Sequence, residues 1–178
     1  EEIIKEAGIS FQDISAIAVS QGPGSYTGLR IGVSAAKGLC YALQIPLIAV
    51  DTLEILAQQV KNISSGFIIP MIDARRMEVY SAVFDSNKTK IRETQAEILS
   101  ENSFENIEDK IYCIGDSNQK AKAVLTQDKF VFLDQFVYPS AKDMVALAYL
   151  KFENKQWEDV AYYEPFYLKD FIALKSSK

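Results

Sequence analysis

Residues 14–32 decide how this chain folds, and they read Ile-Ser-Ala-Ile-Ala-Val-Ser-Gln-Gly-Pro-Gly-Ser-Tyr-Thr-Gly-Leu-Arg-Ile-Gly. The run from residue 14 to 20 is mostly apolar and rich in β-branched side chains, which is typical of a short buried strand. The glycines and proline at 22–24 break that run, and Ser25 is a good N-cap for a helical pattern that continues to Leu43. A second apolar run at 46–50 makes residues 14–50 a predicted βαβ unit with parallel strands.

Helical and extended patterns continue on both sides of this unit. Residues 1–7 form a predicted helix that ends at Gly8, and Thr52 is the predicted cap of a helix over 52–61. The remaining predicted elements are an antiparallel meander with strands at 67–72, 77–84 and 90–99, helices at 103–108, 118–125 and 140–153, strands at 111–114 and 131–133, and an aromatic tail at 162–167 that packs on the body.

The two halves of the chain share one order of elements. Residues 1–61 and 101–153 both run helix, strand, helix, strand, helix, which predicts two α/β lobes at 1–62 and 63–178. The meander precedes this pattern in the second half, and nothing equivalent precedes it in the first. Since the first helix also begins without a cap, we expect the N-terminal strands of the first lobe to be missing upstream of this chain.

Composition excludes several classes of function. The 178 residues are 48% hydrophobic and 24% charged, which suits one domain or two small lobes at about 150 residues per domain. The sequence has no histidine, which excludes a Ser-His-Asp triad, a Cys-His pair and every histidine-ligated metal site. With 19 Lys and Arg against 24 Asp and Glu, the net charge of −5 disfavours direct binding to a nucleic-acid backbone.

The cysteines and the hydropathy pattern bear on location. Cys40 and Cys113 both lie in apolar runs, so we expect reduced core residues, as in a cytoplasmic protein. No apolar run reaches the roughly 18 residues of a membrane span, and no segment of the 178 residues has the pattern of a signal peptide.

The glycine-rich segment from Gly22 to Arg30 joins the first strand to the helix that follows it. Free backbone N–H groups at a helix start favour an anion, so the segment is a candidate phosphate cradle. Its spacing matches neither the phosphate-binding loop, which needs Lys after the second glycine, nor the dinucleotide fingerprint. A tight turn that requires positive φ explains the glycines equally well.

Small residues recur along the helix after this segment. Gly28, Gly32 and Ala36 are four residues apart and are predicted to form one stripe, with the charges Arg30 and Lys37 on its flank. Interior glycines each cost a helix about 1 kcal/mol relative to alanine, and close approach of another backbone would offset that cost. The approaching backbone belongs either to this chain or to a partner.

Two polar turns in the second half are candidates for ligand contact. The turn Asp73-Ala-Arg75-Arg76 carries two arginines that suit phosphate, although hairpin turns are usually polar in any case. Gly115-Asp116-Ser117 ends a buried strand, where it either touches a ligand or caps the next helix.

In several of these segments the chain resembles the TsaB/YeaZ family, the non-catalytic partners in bacterial synthesis of threonylcarbamoyladenosine in tRNA. The segments that carry the resemblance are Gly22 to Gly32, Asp73 to Tyr80, Tyr138 to Ala141 and Pro165 to Lys169. The family opens with strands that carry an Asp-Thr-Ser-type segment, which this chain lacks.

The resemblance implies the actin/sugar-kinase/Hsp70-like fold, with two duplicated α/β lobes around a cleft. In that superfamily, hairpin turns of both lobes hold nucleotide phosphates. The second-lobe turn would be Asp73, Arg75 and Arg76, and the adenosine loop would lie near Gly115 and Asp116. ATP or ADP is the ligand that such a cleft takes, but the first-lobe turn lies outside this chain, so nucleotide binding is not predicted.

The resemblance also implies partners. The chain would pair with the catalytic paralogue TsaD through first-lobe helices, hence through Gly28, Arg30, Gly32, Ala36 and Lys37. A homodimer through the same surface is the alternative when the chain is alone. The ATPase TsaE completes the bacterial set, and tRNA is reached only indirectly, through the complex.

Two alternatives stay open on the sequence, a small-molecule kinase or ATPase and a peptidase homologue without peptidase activity. A small-molecule kinase or ATPase of the same superfamily would need an acidic base and an intact first phosphate turn. The family was once labelled glycoprotease-like, but the metal motif of the catalytic paralogue contains histidine. The sequence therefore predicts an inactive paralogue that acts as an assembly subunit.

Overall fold

The structure, a computed structural model, describes residues 2–168 and contains two sheets with five α-helices. The helices are α1 (Glu2–Ala7), α2 (Tyr26–Leu43), α3 (Thr52–Ala57), α4 (Asn118–Lys122) and α5 (Ala141–Glu153), with a 3₁₀ turn at Phe11–Asp13. The strands are β1 (Ile17–Ser20), β2 (Leu47–Val50), β3 (Phe67–Asp73), β4 (Glu78–Asp85), β5 (Lys90–Ile98), β6 (Ile111–Ile114) and β7 (Phe130–Phe132).

The smaller sheet is the predicted βαβ unit. β1 and β2 pair in parallel, with Ile17 opposite Leu47 and Ser20 opposite Val50. Within the described residues β1 has a strand partner on one side only. The other side of β2 is covered, because the carbonyl of Leu47 accepts from Glu158 N at 2.9 Å and that of Ala49 from Lys151 Nζ at 2.6 Å.

The larger sheet has the strand order β5-β4-β3-β6-β7. The first three strands are antiparallel neighbours, as the predicted meander requires, and β6 and β7 add in parallel to β3. The parallel pair β6 and β7, joined through α4, is a second βαβ unit.

Helix α2 covers one face of the smaller sheet. Ser25 is its N-cap, as predicted, and its side chain accepts from Gly28 N at 3.3 Å. The buried side of the helix presents Val33, Ala36 and Cys40, and the latter two form a core cluster with Leu47. The opposite face of the sheet packs against α5 in a second cluster.

Packing crosses the predicted lobe boundary near residue 62. Helix α3, which precedes it, joins Leu53 and Leu56 to a core cluster with Ile68 and Phe84 of the larger sheet. Helix α5, which follows it, packs on β2 of the smaller sheet. The division at 62 therefore stays a prediction.

Several predicted elements need correction. The cap of α3 is Asp51 and not Thr52, because the Asp51 carboxylate accepts from Leu53 N at 2.7 Å and from Glu54 N at 3.1 Å. No helix forms at 103–108, where the chain makes turns around Phe104 with φ of 63°. The buried Phe104 packs into the core of the larger sheet, and this contact holds the segment in its irregular path.

The prediction for the cysteines is confirmed, and the prediction that the tail packs on the body is confirmed at Tyr163 but not at Tyr162. Cys40 and Cys113 are free and buried, and burial raises the pKa of both thiols, that of Cys113 to about 12. In the tail, Tyr163 packs on the α2 cluster. Among the described residues no helix is long and apolar enough to cross a membrane.

Candidate functional site

The outward side of α2 is unusually poor in charge for an exposed helix face. Arg30 is the only charged residue among the exposed positions of this helix. Ile31 is 67% exposed, Leu39 40% and Tyr41 75%. Exposed surface helices normally carry charged and polar residues on the solvent side, so this face is suited to contact another apolar surface.

The glycines of α2 show where that contact has room. A Cβ built at Gly32 or Gly38 meets no atom within 4 Å, so no other part of the described chain approaches them. Gly28 is different, because its Cβ would lie 3.3 Å from the Ser25 side chain. Of the two alternatives for the glycines, internal packing is therefore excluded at Gly32 and Gly38 for residues 2–168.

The predicted stripe of small residues is only partly on this face. Gly28 and Gly32 are exposed, but Ala36 is 5% exposed and packs in the core, so the prediction that Ala36 continues the surface stripe is wrong. A step of four residues turns an α-helix about 40° beyond a full turn, so such a row drifts around the axis. Beyond Gly32 the exposed face continues through Ala35, Gly38 and Ala42 rather than through Ala36, with Ile31 beside them.

The two predicted flank charges make contacts within the chain. Arg30 Nη1 donates to Tyr26 Oη at 2.9 Å, and its guanidinium lies 5.3 Å from the centre of that ring. Lys37 Nζ donates to the carbonyls of Ala161 at 3.1 Å and Tyr163 at 2.9 Å. Lys37 therefore binds the C-terminal tail along this flank of α2.

The segment before α2 has the geometry of a tight turn. Gly22 has φ of 108°, and a Cβ there would lie 2.8 Å from the carbonyl oxygen of Phe166. Its backbone is held by Thr52 N, which donates to the Gly22 carbonyl at 2.9 Å. Positive φ and the close passage of the tail explain this glycine without a ligand.

The second group of predicted residues forms one cluster at the carboxyl ends of β3 and β6. The Asp116 carboxylate accepts from Asp73 N at 2.8 Å, which ties the loop after β6 to the end of β3. Gly115, with φ of 113°, lets the two strands meet, because a Cβ there would lie 2.0 Å from the carbonyl oxygen of Met71. Asp73, Arg75, Arg76, Gly115 and Asp116 therefore lie in one cluster, and the assignment of this cluster to a nucleotide stays a prediction.

The hairpin turn of this cluster has a strained backbone. Arg75 and Arg76 have φ of 71° and 52°, in the left-handed region that glycine and asparagine favour. Both side chains are exposed, and neither guanidinium has a hydrogen bond or ion pair with another described residue. Two unpaired guanidinium groups at adjacent positions are suited to an anion.

Sequence reasoning missed the residue that holds this turn. Lys120 Nζ donates to Asp73 Oδ1 at 2.6 Å, to the Arg76 carbonyl at 3.0 Å and to the Glu78 carbonyl at 2.5 Å. The hydrogen bond from Lys120 is the main cause that lowers the pKa of the Asp73 carboxyl. A lysine 47 residues from its carboxylate gives no local signal, although its place after Gly115-Asp116-Ser117 could have raised it as a candidate.

Other concave surfaces lie away from both groups. A groove of about 620 Å³ is lined by residues that include Val60, Tyr112 and Phe136, and none of the predicted site residues lines it. A second, apolar groove of about 440 Å³ lies between α5 and the face of the smaller sheet that includes Ala18 and Ile48. No group of three or more His, Cys, Asp or Glu within residues 2–168 could hold a metal ion.

Comparison with known proteins connects these features to a family. The family model described as TsaD, tRNA N6-adenosine threonylcarbamoyltransferase, matches residues 1–163. The tRNA threonylcarbamoyladenosine biosynthesis protein TsaB of Escherichia coli K12 is 32% identical over 184 aligned positions, which cover 98% of this chain and 79% of that protein. The chain belongs to the TsaB/YeaZ family. TsaB of Buchnera aphidicola from Acyrthosiphon pisum is 30% identical, over 87% of this chain and 72% of its own length.

Solved structures of the TsaB/YeaZ family agree. YeaZ from Pseudomonas aeruginosa superposes with a TM-score of 0.76 at 28% identity, covering 93% of this chain and 79% of that one. A second Pseudomonas aeruginosa structure, described as similar to peptidase YeaZ, has a TM-score of 0.78 at 26% identity, over 94% and 80% of the two chains. These similarities confirm the predicted actin/sugar-kinase/Hsp70-like fold class.

Proposed function

We propose that this chain is a non-catalytic subunit in the biosynthesis of threonylcarbamoyladenosine in tRNA, and that it supports a TsaD-type transferase by binding it. The relatives' names supply the pathway. The observation that carries the binding role is the outward face of α2, where Ile31 and Tyr41 are exposed and Gly32 and Gly38 leave room for a close approach.

The residues around the cluster at β3 and β6 support a non-catalytic role. The Asp73 carboxylate is occupied by Lys120 and by Arg75 N, which donates to it at 2.6 Å. The Asp116 carboxylate accepts from the backbone of Asp73. Carboxylates engaged in this way serve to build the turn, and the sequence offers no histidine to act as a general base in their place.

The choice of partner rests on similarity between the two chains. The TsaD model matches residues 1–163, so a TsaD-type transferase has a counterpart of α2 in a related fold. Related chains can join equivalent faces about an approximate two-fold axis, as homodimers do about a true one. A second copy of this chain is then the expected occupant of the face when the transferase is absent, and TsaE and tRNA would be reached through the complex.

Replacing Gly32 by leucine tests the binding role. The new side chain points into open space, so the folded monomer should be at least as stable as the wild type. At the interface the same side chain overpacks, and association with the transferase should weaken by about 5- to 150-fold. Thermal melting and calorimetric titration with the TsaD of the same organism measure the two effects.

Ala146→Leu is the matched control, because Ala146 is an exposed alanine of α5, away from α2. It should leave association unchanged. Wild-type affinity in Gly32→Leu, or no association of the unmodified chain with TsaD, would overturn the proposal.

The turn at Arg75 and Arg76 supports a second, smaller proposal, that it contacts the phosphates of ATP or ADP. Its support is the pair of exposed guanidinium groups on a turn fixed by Lys120. Replacing both arginines by alanine should abolish calorimetric binding of ATP, whereas Lys61→Ala, an exposed charge elsewhere, should not change it. If the unmodified chain takes up no ATP, the turn is structural.

A further inference from the structure

The C-terminal tail, residues 158–168, lies against the flank of α2. It begins where Glu158 N donates to the Leu47 carbonyl at 2.9 Å, and it ends beside the start of α2, where the ring of Tyr167 lies 4.9 Å from that of Tyr26. Between these points Val160 and Tyr163 pack on the cluster of Ala36, Cys40 and Leu47.

The tail is fixed by its backbone rather than by its exposed side chains. Lys37 Nζ holds the carbonyls of Ala161 and Tyr163, and Phe166 N donates to the Gln21 carbonyl at 2.8 Å. The path also depends on Gly22, where a side chain would collide with the Phe166 carbonyl. A segment held in this way can present its aromatic rings to a partner at little cost in conformational entropy.

Those rings point away from the core. Tyr162 is 85% exposed, Phe166 41% and Tyr167 36%. Tyr26, Arg30 and Lys37 share one flank of α2, because they are separated by four and seven residues, and this flank adjoins the outward side that carries Tyr41. The tail therefore extends the charge-poor outward face of α2 with aromatic side chains, the residue type that most often dominates binding energy at interfaces.

We infer that the tail is part of the surface that binds the TsaD-type transferase, and that Lys37 is the residue that positions it there. The inference rests on the proposed function and names a further part of the same surface. Lys37 acts through the tail, since its ammonium is occupied by two tail carbonyls. The predicted interface role of Lys37 thus becomes a positioning role, and the contact is made by Tyr162, Phe166 and Tyr167.

Two variants separate positioning from contact. Lys37→Met keeps the apolar stem but cannot hold the carbonyls, so backbone amide exchange at 159–168 should accelerate at least about tenfold while the exchange of β2 stays unchanged. Tyr162→Ala removes a ring that is 85% exposed, so the fold and the tail path should stay as they are. Each variant should weaken association with TsaD by at least about fivefold in calorimetry. Lys61→Met, at an exposed lysine distant from the tail in sequence, is the control and should change neither quantity.

The outcomes are distinct. If Gly32→Leu weakens association and both tail variants bind as the wild type does, the tail is not part of the surface while the proposed function stands. If Tyr162→Ala alone binds normally while Lys37→Met loses affinity and tail protection together, Lys37 positions the other two rings and the inference holds. If the unmodified chain does not bind TsaD, the proposed function and this inference both fail.

Discussion

The two βαβ units of the molecule start alike and are used differently. In each unit, a glycine with strongly positive φ follows the first strand. It is Gly22 at 108° after β1 and Gly115 at 113° after β6. The connecting helix is 18 residues long in the first unit and 5 residues long in the second. The long helix turns a nearly uncharged side to solvent, whereas the short one carries Lys120 and Lys122, both in ion pairs.

This difference shows how one local rule serves two purposes. A long crossover helix has enough surface to bury one side on its sheet and still offer a second side to a partner. A helix of little more than one turn has no such second side. Its Lys120 instead fastens the hairpin between β3 and β4, and its Lys122 pairs with Asp134 after β7. The unit with the long outward helix is thus suited to association, and the unit with the short helix shapes the cluster around Asp73.

Each unit has a glycine with positive φ after its first strand, and substitution of these two glycines should have the largest effects on stability. Gly115→Ala puts a Cβ 2.0 Å from the Met71 carbonyl oxygen at a positive φ, and should lower the free energy of unfolding by about 3 to 5 kcal/mol. Gly22→Ala meets the Phe166 carbonyl at 2.8 Å and should cost less, about 1 to 3 kcal/mol, because the tail can move away. Urea unfolding followed by circular dichroism measures both.

Gly24→Ala is the control within the same loop as Gly22, since a Cβ there meets nothing within 4 Å. Its effect should stay within about 0.5 kcal/mol. Equal stability of the Gly24→Ala and Gly115→Ala proteins would contradict the close contact between β3 and β6.

Replacement of Lys120 in the short helix should have an effect of intermediate size on stability. Lys120→Met should destabilise the protein by about 1 to 2 kcal/mol at neutral pH, because the Arg76 and Glu78 carbonyls and the Asp73 carboxylate lose a donor. The matched control is Lys122→Met, whose exposed ion pair with Asp134 should contribute little.

The acid dependence of this effect has a defined sign. The folded pKa of Asp73 lies below its ordinary value, so its ion pair stabilises the fold above about pH 4 and is lost as the pH falls through the lowered pKa. Since the Asp73 side chain is 51% exposed, this part should amount to no more than about 1 kcal/mol. The difference in stability between wild type and Lys120→Met should therefore shrink below pH 4 in urea titrations, and a difference that grew there would contradict the pairing.

The smallest expected effect concerns the outward side of α2. Gly38→Ala adds a methyl group in open space within a helix, and should raise the free energy of unfolding by about 0.5 to 1 kcal/mol. The reverse change at the buried position, Ala36→Gly, should lower it, because both helix propensity and packing are lost. Destabilisation by Gly38→Ala would show that this side of the helix is covered.

Local signals in the sequence predicted most of the fold. Ser25 was identified as a cap because its side chain acts on an N–H group three residues away. Asp51 was missed in favour of Thr52, since both residue types cap well. Contacts with residues distant in sequence distinguish them, because Lys90 pairs with Asp51 at 3.0 Å and the Thr52 hydroxyl is hydrogen-bonded to that of Ser20 at 2.6 Å. The false helix at 103–108 has the same origin, because Phe104 is fixed by contacts with the core of the larger sheet.

The residues of the candidate sites differ in the same way in how far the sequence predicts them. Asp73 and Asp116 were expected at one cleft from the family resemblance alone, and the parallel pairing of β3 with β6 is what brings their carboxyl ends together. The contacts of Lys120 and the path of the tail along α2 could not be predicted, since these contacts join residues 47 and 126 positions apart. Ala36 was placed outside because residue spacing alone does not show which side of a helix the sheet covers.

Within the described residues, the single-sided pairing of β1 leaves one edge of the smaller sheet without a strand neighbour. An edge strand offers its free N–H and C=O groups to any extended chain, and natural edges are usually protected by lysine or proline. Residues 14–20 contain neither, and they carry no charge at all. This edge is therefore suited to pair with a further β-strand, from this protein or from another chain, rather than to face water.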